Sequence, residues 1–66
     1  PPGADPKLYA LLERLGYLEY LNNFLSEKLT YEALEEFSKE DMKELGLPAG
    51  PRIAIYNAVH KIGHEN

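Results

Sequence analysis

The sequence predicts an all-α fold with five helices, of which four are short and the last is long. Apolar residues recur at three- and four-residue spacing along most of the 66-residue chain, as on one face of an amphipathic helix. No segment alternates apolar and polar residues in a sustained way, and hairpin turns of the Asn-Gly type are absent. Glycines at positions 16 and 46 follow two of the apolar patterns, where a helix commonly ends. These observations predict a compact helical bundle.

The first two helices are predicted from a cap and from apolar spacing. Asp5 before Pro6 is typical of a helix start, because the carboxylate can accept from a free amide and proline needs no partner at the first position. Gly16 ends this helix, and a second one follows from about residue 17 to residue 25. The residues predicted to face the core are Leu8, Leu11, Leu12, Leu15, Tyr17, Tyr20, Leu21 and Phe24.

Two further short helices start at hydroxyl caps. Thr30 is a cap for a third helix that extends through residue 36. Ser38 and Asp41 resemble a capping box, in which each side chain accepts from the other's backbone amide. This box opens a fourth helix that runs to about residue 45, where Gly46 follows. The predicted inward residues are Leu34, Phe37, Met42 and Leu45.

The fifth and longest helix is expected to begin near Ala49 or Gly50. Pro51 is tolerated there because amides of the first turn have no partner within the helix. Its predicted inward stripe is Ile55, Tyr56, Val59 and Ile62.

Composition restricts the classes of function. The chain is long enough for one domain, and without cysteine it can form neither disulfides nor a thiolate metal site. No apolar run approaches the ~20 residues of a membrane span. The net charge of −4 argues against polyanion binding by the domain as a whole. Acids are concentrated between residues 27 and 44, whereas residues 45–64 contain cations and no acid.

The sequence predicts no catalytic residue, cofactor or metal site. Its carboxylates lie on faces predicted to be exposed, and no glycine elbow accompanies the serines. His60 and His64 have the four-residue spacing with which two imidazoles can share a metal. Residues 45–64 contain no acid or cysteine that could complete such a site, and histidines near a helix end are also favoured by the helix dipole.

Five short motifs occur in a fixed order between residues 8 and 62. They are Leu15-Gly16, Tyr20 with Phe24, Ala33-Leu34, the acidic stretch EDMKELGL at 40–47, and Gly50-Pro51-Arg52. Together they resemble the sterile alpha motif (SAM) domain, which implies a five-helix SAM-type bundle. The resemblance also implies a module of a larger intracellular protein, cytoplasmic or nuclear, that binds another SAM domain or another protein. We expect residues 1–5 to be a linker or a cloning remnant, residues 6–64 the SAM domain, and residues 65–66 a tail.

The family resemblance implies two candidate binding surfaces that meet head to tail, a contact that need not close. The mid-loop face extends from the end of the second helix through the third and comprises Glu27, Tyr31, Glu32, Glu35 and Glu36. The end-helix face, at the start of the fifth helix, comprises Gly50, Arg52, Ile53 and Lys61. The richer acidic face predicts that the domain serves mainly as the mid-loop partner.

The end-helix face departs from the family pattern at two positions. Ala54 stands where many members have a second cation, and Pro51 replaces a residue that is often polar. We therefore expect self-association to be weak, with affinity supplied by the packing of Tyr31 or Ile53. Tyr31 is equally well interpreted as a core residue, and Ile53 as a residue packed beneath the preceding loop.

Two other functions remain open. A minority of SAM domains, of the Smaug type, bind RNA hairpins through a basic patch around the last helix. RNA hairpin recognition needs several cations around one groove, and the first and last helices offer four. The domain can also act as a monomeric spacer between its neighbours. The four cations in question are Lys7, Arg14, Arg52 and Lys61.

Overall fold

The computed structural model describes residues 5–62, which form five α-helices and one 3₁₀ turn and contain no strand. This confirms the predicted all-α fold. The described chain has a radius of gyration of 11.1 Å. The elements are α1 (Pro6–Leu15), a 3₁₀ turn (Leu18–Tyr20), α2 (Leu21–Leu25), α3 (Tyr31–Leu34), α4 (Lys39–Lys43) and α5 (Ala49–His60).

The predicted helix caps are confirmed. The Oδ2 atom of Asp5 accepts from the amide of Leu8 at 3.0 Å, and Gly16 closes α1 with a φ of 83°. Left-handed φ values of this kind favour glycine, which has no Cβ to clash with the backbone. Ser38 and Asp41 form the reciprocal capping box of α4, with distances of 3.1 and 2.9 Å. The starts of these helices are therefore specified by residues three positions apart.

The predicted second helix is divided into two parts. The left-handed Gly16 reverses the chain, and the amide of Tyr17 bonds back to the carbonyl of Leu12 at 2.8 Å. The amide of Tyr20 then bonds to the carbonyl of Tyr17 at 3.0 Å, which closes a single 3₁₀ turn before α2 begins. The prediction of one continuous helix from residue 17 was wrong, because the segment opens with a three-residue bond and a 3₁₀ turn, and α2 begins only at Leu21.

Helices α3 and α4 each end two residues before their predicted ends. The amide of Glu36 bonds to the carbonyl of Ala33 at 3.0 Å, and that of Leu45 bonds to the carbonyl of Met42 at 3.2 Å. Both are three-residue bonds, which tighten the last turn and are typical where a short helix stops. Gly46, with a φ of 75°, then leads the chain towards α5.

Helix α5 packs against α1, α3 and α4, and the core lies between these helices. Around the core, the predicted inward residues Leu15, Tyr17, Tyr20, Leu21, Phe37 and Tyr56 are partly buried. The buried apolar residues are Leu8, Leu11, Leu12, Phe24, Tyr31, Leu34, Met42, Leu45, Leu47, Ile55 and Val59.

Ile62 was predicted to be inward, and the structure corrects this, because its side chain is 48% exposed. Helix α5 ends at His60, and Lys61 adopts a left-handed φ of 58°. The amide of Ile62 bonds to the carbonyl of Asn57 at 2.9 Å, which completes a Schellman-type ending. This turn moves Ile62 out of the helical register on which the prediction depended.

Candidate interaction surfaces

The mid-loop face is a strongly acidic surface built around α3. The connection between α2 and α3 ends at Thr30, whose Oγ1 accepts from the amide of Ala33 at 3.1 Å and starts the helix. Four carboxylates are exposed on the turn before α3, on α3 itself and on the turn after it. They are Glu27, Glu32, Glu35 and Glu36.

Tyr31 is not an exposed anchor of this face. It is 8% exposed and belongs to the core, and Lys7 places its Nζ atom 4.5 Å from the centre of the ring. Its backbone amide donates to the Oδ2 atom of Asp5 at 3.2 Å. Of the two interpretations of Tyr31, the core interpretation is therefore confirmed. The exposed part of the mid-loop face consists of its carboxylates.

The first turn of α5 presents backbone amides without a side-chain cap. The residue before the helix is Pro48, which offers no capping side chain, and the first turn contains no acid. The amides of Ala49 and Gly50 precede the first intrahelical bond, in which Arg52 donates to the carbonyl of Pro48 at 3.0 Å. Free amides and the positive end of the helix dipole favour an anion at this position.

Three predicted end-helix residues lie at or near this helix start, and one does not. Ile53 is 55% exposed, so of its two interpretations the exposed one is confirmed and packing beneath the loop is excluded. Arg52 is half-buried beside it. Lys61 follows the other end of α5, about 13 Å from Arg52 along the helix axis. The structure therefore separates Lys61 from the end-helix face, which comprises Gly50, Arg52 and Ile53.

A groove between α4 and α5 was not anticipated from the sequence. It has a volume of about 550 Å³ and contains both of the large apolar side chains that are exposed among residues 5–62, Ile53 and Ile62. The spacing of Lys39 and Lys43 on α4 was a signal of a basic helix face. The sequence did not indicate which helix that face would meet. The lining residues are Lys39, Glu40, Met42, Lys43, Arg52, Ile53, Tyr56, Asn57 and Ile62.

The cations considered for RNA binding are spread over the bundle. Lys7 covers Tyr31 at the start of α1, and Arg14 lies in the last turn of the same helix. Arg52 and Lys61 lie at opposite ends of α5, and of these four cations Arg52 is the one that lines the groove. This distribution does not assemble the several cations that an RNA hairpin needs around one groove.

His60 packs its ring on Tyr56, with 4.2 Å between the ring centres. Its Nε2 atom is buried and has no hydrogen-bond partner among the described residues. His64, its partner in the predicted metal-compatible pair, lies outside the described residues. Within residues 5–62, no three His, Asp or Glu side chains are grouped as metal ligands.

Tyr20 has an altered acidity. Partial burial and the neighbouring Glu19 carboxylate raise the pKa of its hydroxyl. Tyr20 lies in the 3₁₀ turn and does not line the groove between α4 and α5.

No helix within residues 5–62 has both the length and the apolar character required to cross a membrane.

Comparison with known proteins places the sequence in a family. Residues 4–62 match the family model of the SAM domain (sterile alpha motif). SEC23-interacting protein is 40% identical over 52 residues in Mus musculus and 44% identical over 55 residues in Homo sapiens. Those matches cover 79% and 82% of this chain. Human triacylglycerol hydrolase DDHD2 is 38% identical over 55 residues, which is 83% of the chain.

The chain spans a small part of each relative: 5% of the mouse protein, 6% of the human SEC23-interacting protein and 8% of the hydrolase. The names of those proteins therefore describe molecules much longer than the matched segment. No solved structure matches the sequence. The family match covers nearly all of the chain and agrees with its five-helix bundle, and the chain belongs to the SAM domain family.

Proposed function

We propose that this SAM domain is a non-enzymatic interaction module of a larger intracellular protein, and that it docks its mid-loop face on the end-helix face of a second SAM domain. The observation that carries the proposal is the chemical complementarity of the two faces. Four exposed carboxylates surround α3. The start of α5 combines Arg52 with the amides of Ala49 and Gly50, which have no acceptor among residues 5–62. A carboxylate of one copy can accept from the free amides and pair with the guanidinium of the next.

The two faces belong to different elements, so contact between copies is heterologous. Such a contact leaves one face free at each end and can extend into an open chain. Ile53 would supply apolar area at the end-helix face, since it is 55% exposed and adjoins Arg52. Exposed ion pairs contribute only about 0–1 kcal/mol each, so we expect weak association between copies of this domain. A partner whose end-helix face contains more cations would bind more tightly.

Sedimentation velocity of the isolated domain, from about 10 µM to about 1 mM, tests this function. We expect the sedimentation coefficient to rise with concentration and to fall when salt screens the charges. Glu35→Lys disables the mid-loop face, and Arg52→Glu disables the end-helix face. Each variant alone should remain monomeric. Glu13→Lys, a charge reversal on an exposed residue of α1, is the matched control and should associate as the parent does.

An equimolar mixture of the two disabled variants gives a sharper test. Glu35→Lys retains an intact end-helix face, and Arg52→Glu retains an intact mid-loop face. The mixture should therefore form one contact and stop at a dimer. If both variants associate as the parent does, the assignment of the faces is wrong. A monomer at all concentrations in the parent would instead favour a heterotypic partner or the spacer function.

A further inference from the structure

We propose that the groove between α4 and α5 binds a linear acidic peptide segment that carries apolar side chains. Such a site is distinct from docking between two folded SAM domains. It shares Arg52 and Ile53 with the end-helix face, so the two kinds of partner would exclude each other.

The apolar part of the argument rests on where exposed apolar area occurs. Ile53 is 55% exposed and Ile62 is 48% exposed, and both line this groove. The half-buried Tyr56 and the buried Met42 line the same groove. Apolar area gathered in one concave place marks a binding site more strongly than single exposed residues do. A ligand with apolar side chains would remove this area from water.

The charged residues that line the groove favour a negatively charged ligand. Lys39 and Lys43 lie on the α4 side, and Arg52 lies on the α5 side. Among residues 5–62, the one acid of the lining is Glu40, and it pairs with Lys43 at 3.6 Å. Three cations against one acid make the groove positive in a chain whose net charge is −4. Acidic ligands would be repelled by the mid-loop face and attracted to this groove.

Geometry favours a peptide over a compact ligand or a nucleic acid. The volume of about 550 Å³ has room for a few side chains, and the groove is partly open to solvent. The Nζ atom of Lys39 lies 5.8 Å from the centre of the Tyr56 ring. A carboxylate that binds this lysine would therefore lie close to the apolar ring of Tyr56. Nucleic acid binding depends on many phosphate contacts, whereas this groove combines three cations with several apolar side chains.

The test is a chemical-shift titration of the domain with three synthetic peptides. The probe EELLEELLEE combines carboxylates with leucines. The probe EESSEESSEE keeps the charge and removes the apolar side chains, and KKLLKKLLKK reverses the charge. We expect the first peptide to shift the signals of Ile53, Tyr56 and Ile62, with a Kd below about 1 mM. The other two should bind at least about tenfold more weakly.

Variants of the domain locate the site. Lys39→Glu and Ile62→Ser should each weaken the binding of the first peptide by about tenfold. Lys28→Glu, on an exposed turn away from the groove, is the control and should leave this binding unchanged. The proposal is overturned if EESSEESSEE binds as tightly as EELLEELLEE, since the contact would then be unspecific charge attraction. It is equally overturned if no peptide shifts the groove signals, or if an RNA hairpin shifts them at lower concentration than the peptide.

The same variants separate this site from the contact between SAM domains. Lys39→Glu should bind the peptide about tenfold more weakly and keep self-association, because Lys39 lies on α4 and outside the end-helix face. The Glu35→Lys variant should no longer self-associate and should bind the peptide as the parent does. Saturating EELLEELLEE should dissociate the parent assemblies, because Arg52 and Ile53 cannot serve both partners.

Discussion

The side chain of Asp5 joins the start of α1 to Tyr31, the first residue of α3. Its Oδ2 atom accepts from the amide of Leu8 at 3.0 Å and from the amide of Tyr31 at 3.2 Å. One carboxylate oxygen thus satisfies an orphan amide in each of two helices, and Tyr31 is 26 residues from Asp5 in sequence. This bond adds to the core packing of Tyr31 and Leu34 in holding the mid-loop face against the bundle.

Replacement of Asp5 should destabilise the domain more than replacement of an ordinary helix cap does. Asp5→Ala removes the N-cap of α1 and leaves the partly buried amide of Tyr31 without its acceptor, so we expect a loss of about 2–3 kcal/mol. Urea unfolding followed by circular dichroism measures this loss. Asp41→Ala, which removes an exposed and purely local cap, should cost about 1 kcal/mol. Equal losses in the two variants would contradict a cross-helix role for Asp5.

The side chain of Asn23 ties α2 to the end of α4. Its Nδ2 atom donates to the carbonyl of Leu45 at 2.8 Å, and Leu45 is buried. Asn23→Ala should lower the unfolding free energy by about 1–2 kcal/mol, because that carbonyl loses its side-chain donor. Asn22→Ala, at an exposed neighbour, should stay within about 0.5 kcal/mol of the parent. Thermal melts of both variants make the comparison, and a larger loss for Asn22→Ala would refute it.

Lys28 occupies a conformation that favours glycine. It is exposed after α2 and has a φ of 57°, where a Cβ atom crowds the following carbonyl. Lys28→Gly should raise the unfolding free energy by about 0.5–1 kcal/mol, net of the greater freedom of glycine in the unfolded chain. Lys28→Ala removes the same charge but keeps the Cβ atom, so it serves as the control and should not be stabilising.

Ile55 and Ile62, both in the apolar pattern of the last helix, should contribute unequally to the free energy of unfolding. Ile55 is fully buried, and Ile55→Ala should cost about 2–5 kcal/mol through lost contacts and the cavity that remains. Ile62→Ala should cost no more than about 0.5 kcal/mol, because Ile62 is 48% exposed. Chemical denaturation of the two variants tests this. A large loss at Ile62 would mean that the side chain is inward, as the sequence periodicity predicts.

The sequence also anticipated much of the candidate surface. The mid-loop carboxylates are exposed as expected, since charged residues on short helices and turns remain hydrated. Ile53 is exposed because it lies off the inward stripe of α5. The burial of Tyr31 was not decided by sequence, because a tyrosine suits both a core and an interface. Lys61 was assigned to the end-helix face without regard to the length of α5.

What the sequence by itself determined is local. Asp5, Thr30 and Ser38 start their helices, and Gly16 ends α1, because caps and left-handed endings depend on residues only a few positions apart. What only the tertiary structure decided is which faces meet. The bond from Asp5 to Tyr31 and the groove between α4 and α5 join segments far apart in sequence, and their formation depends on how the whole bundle packs.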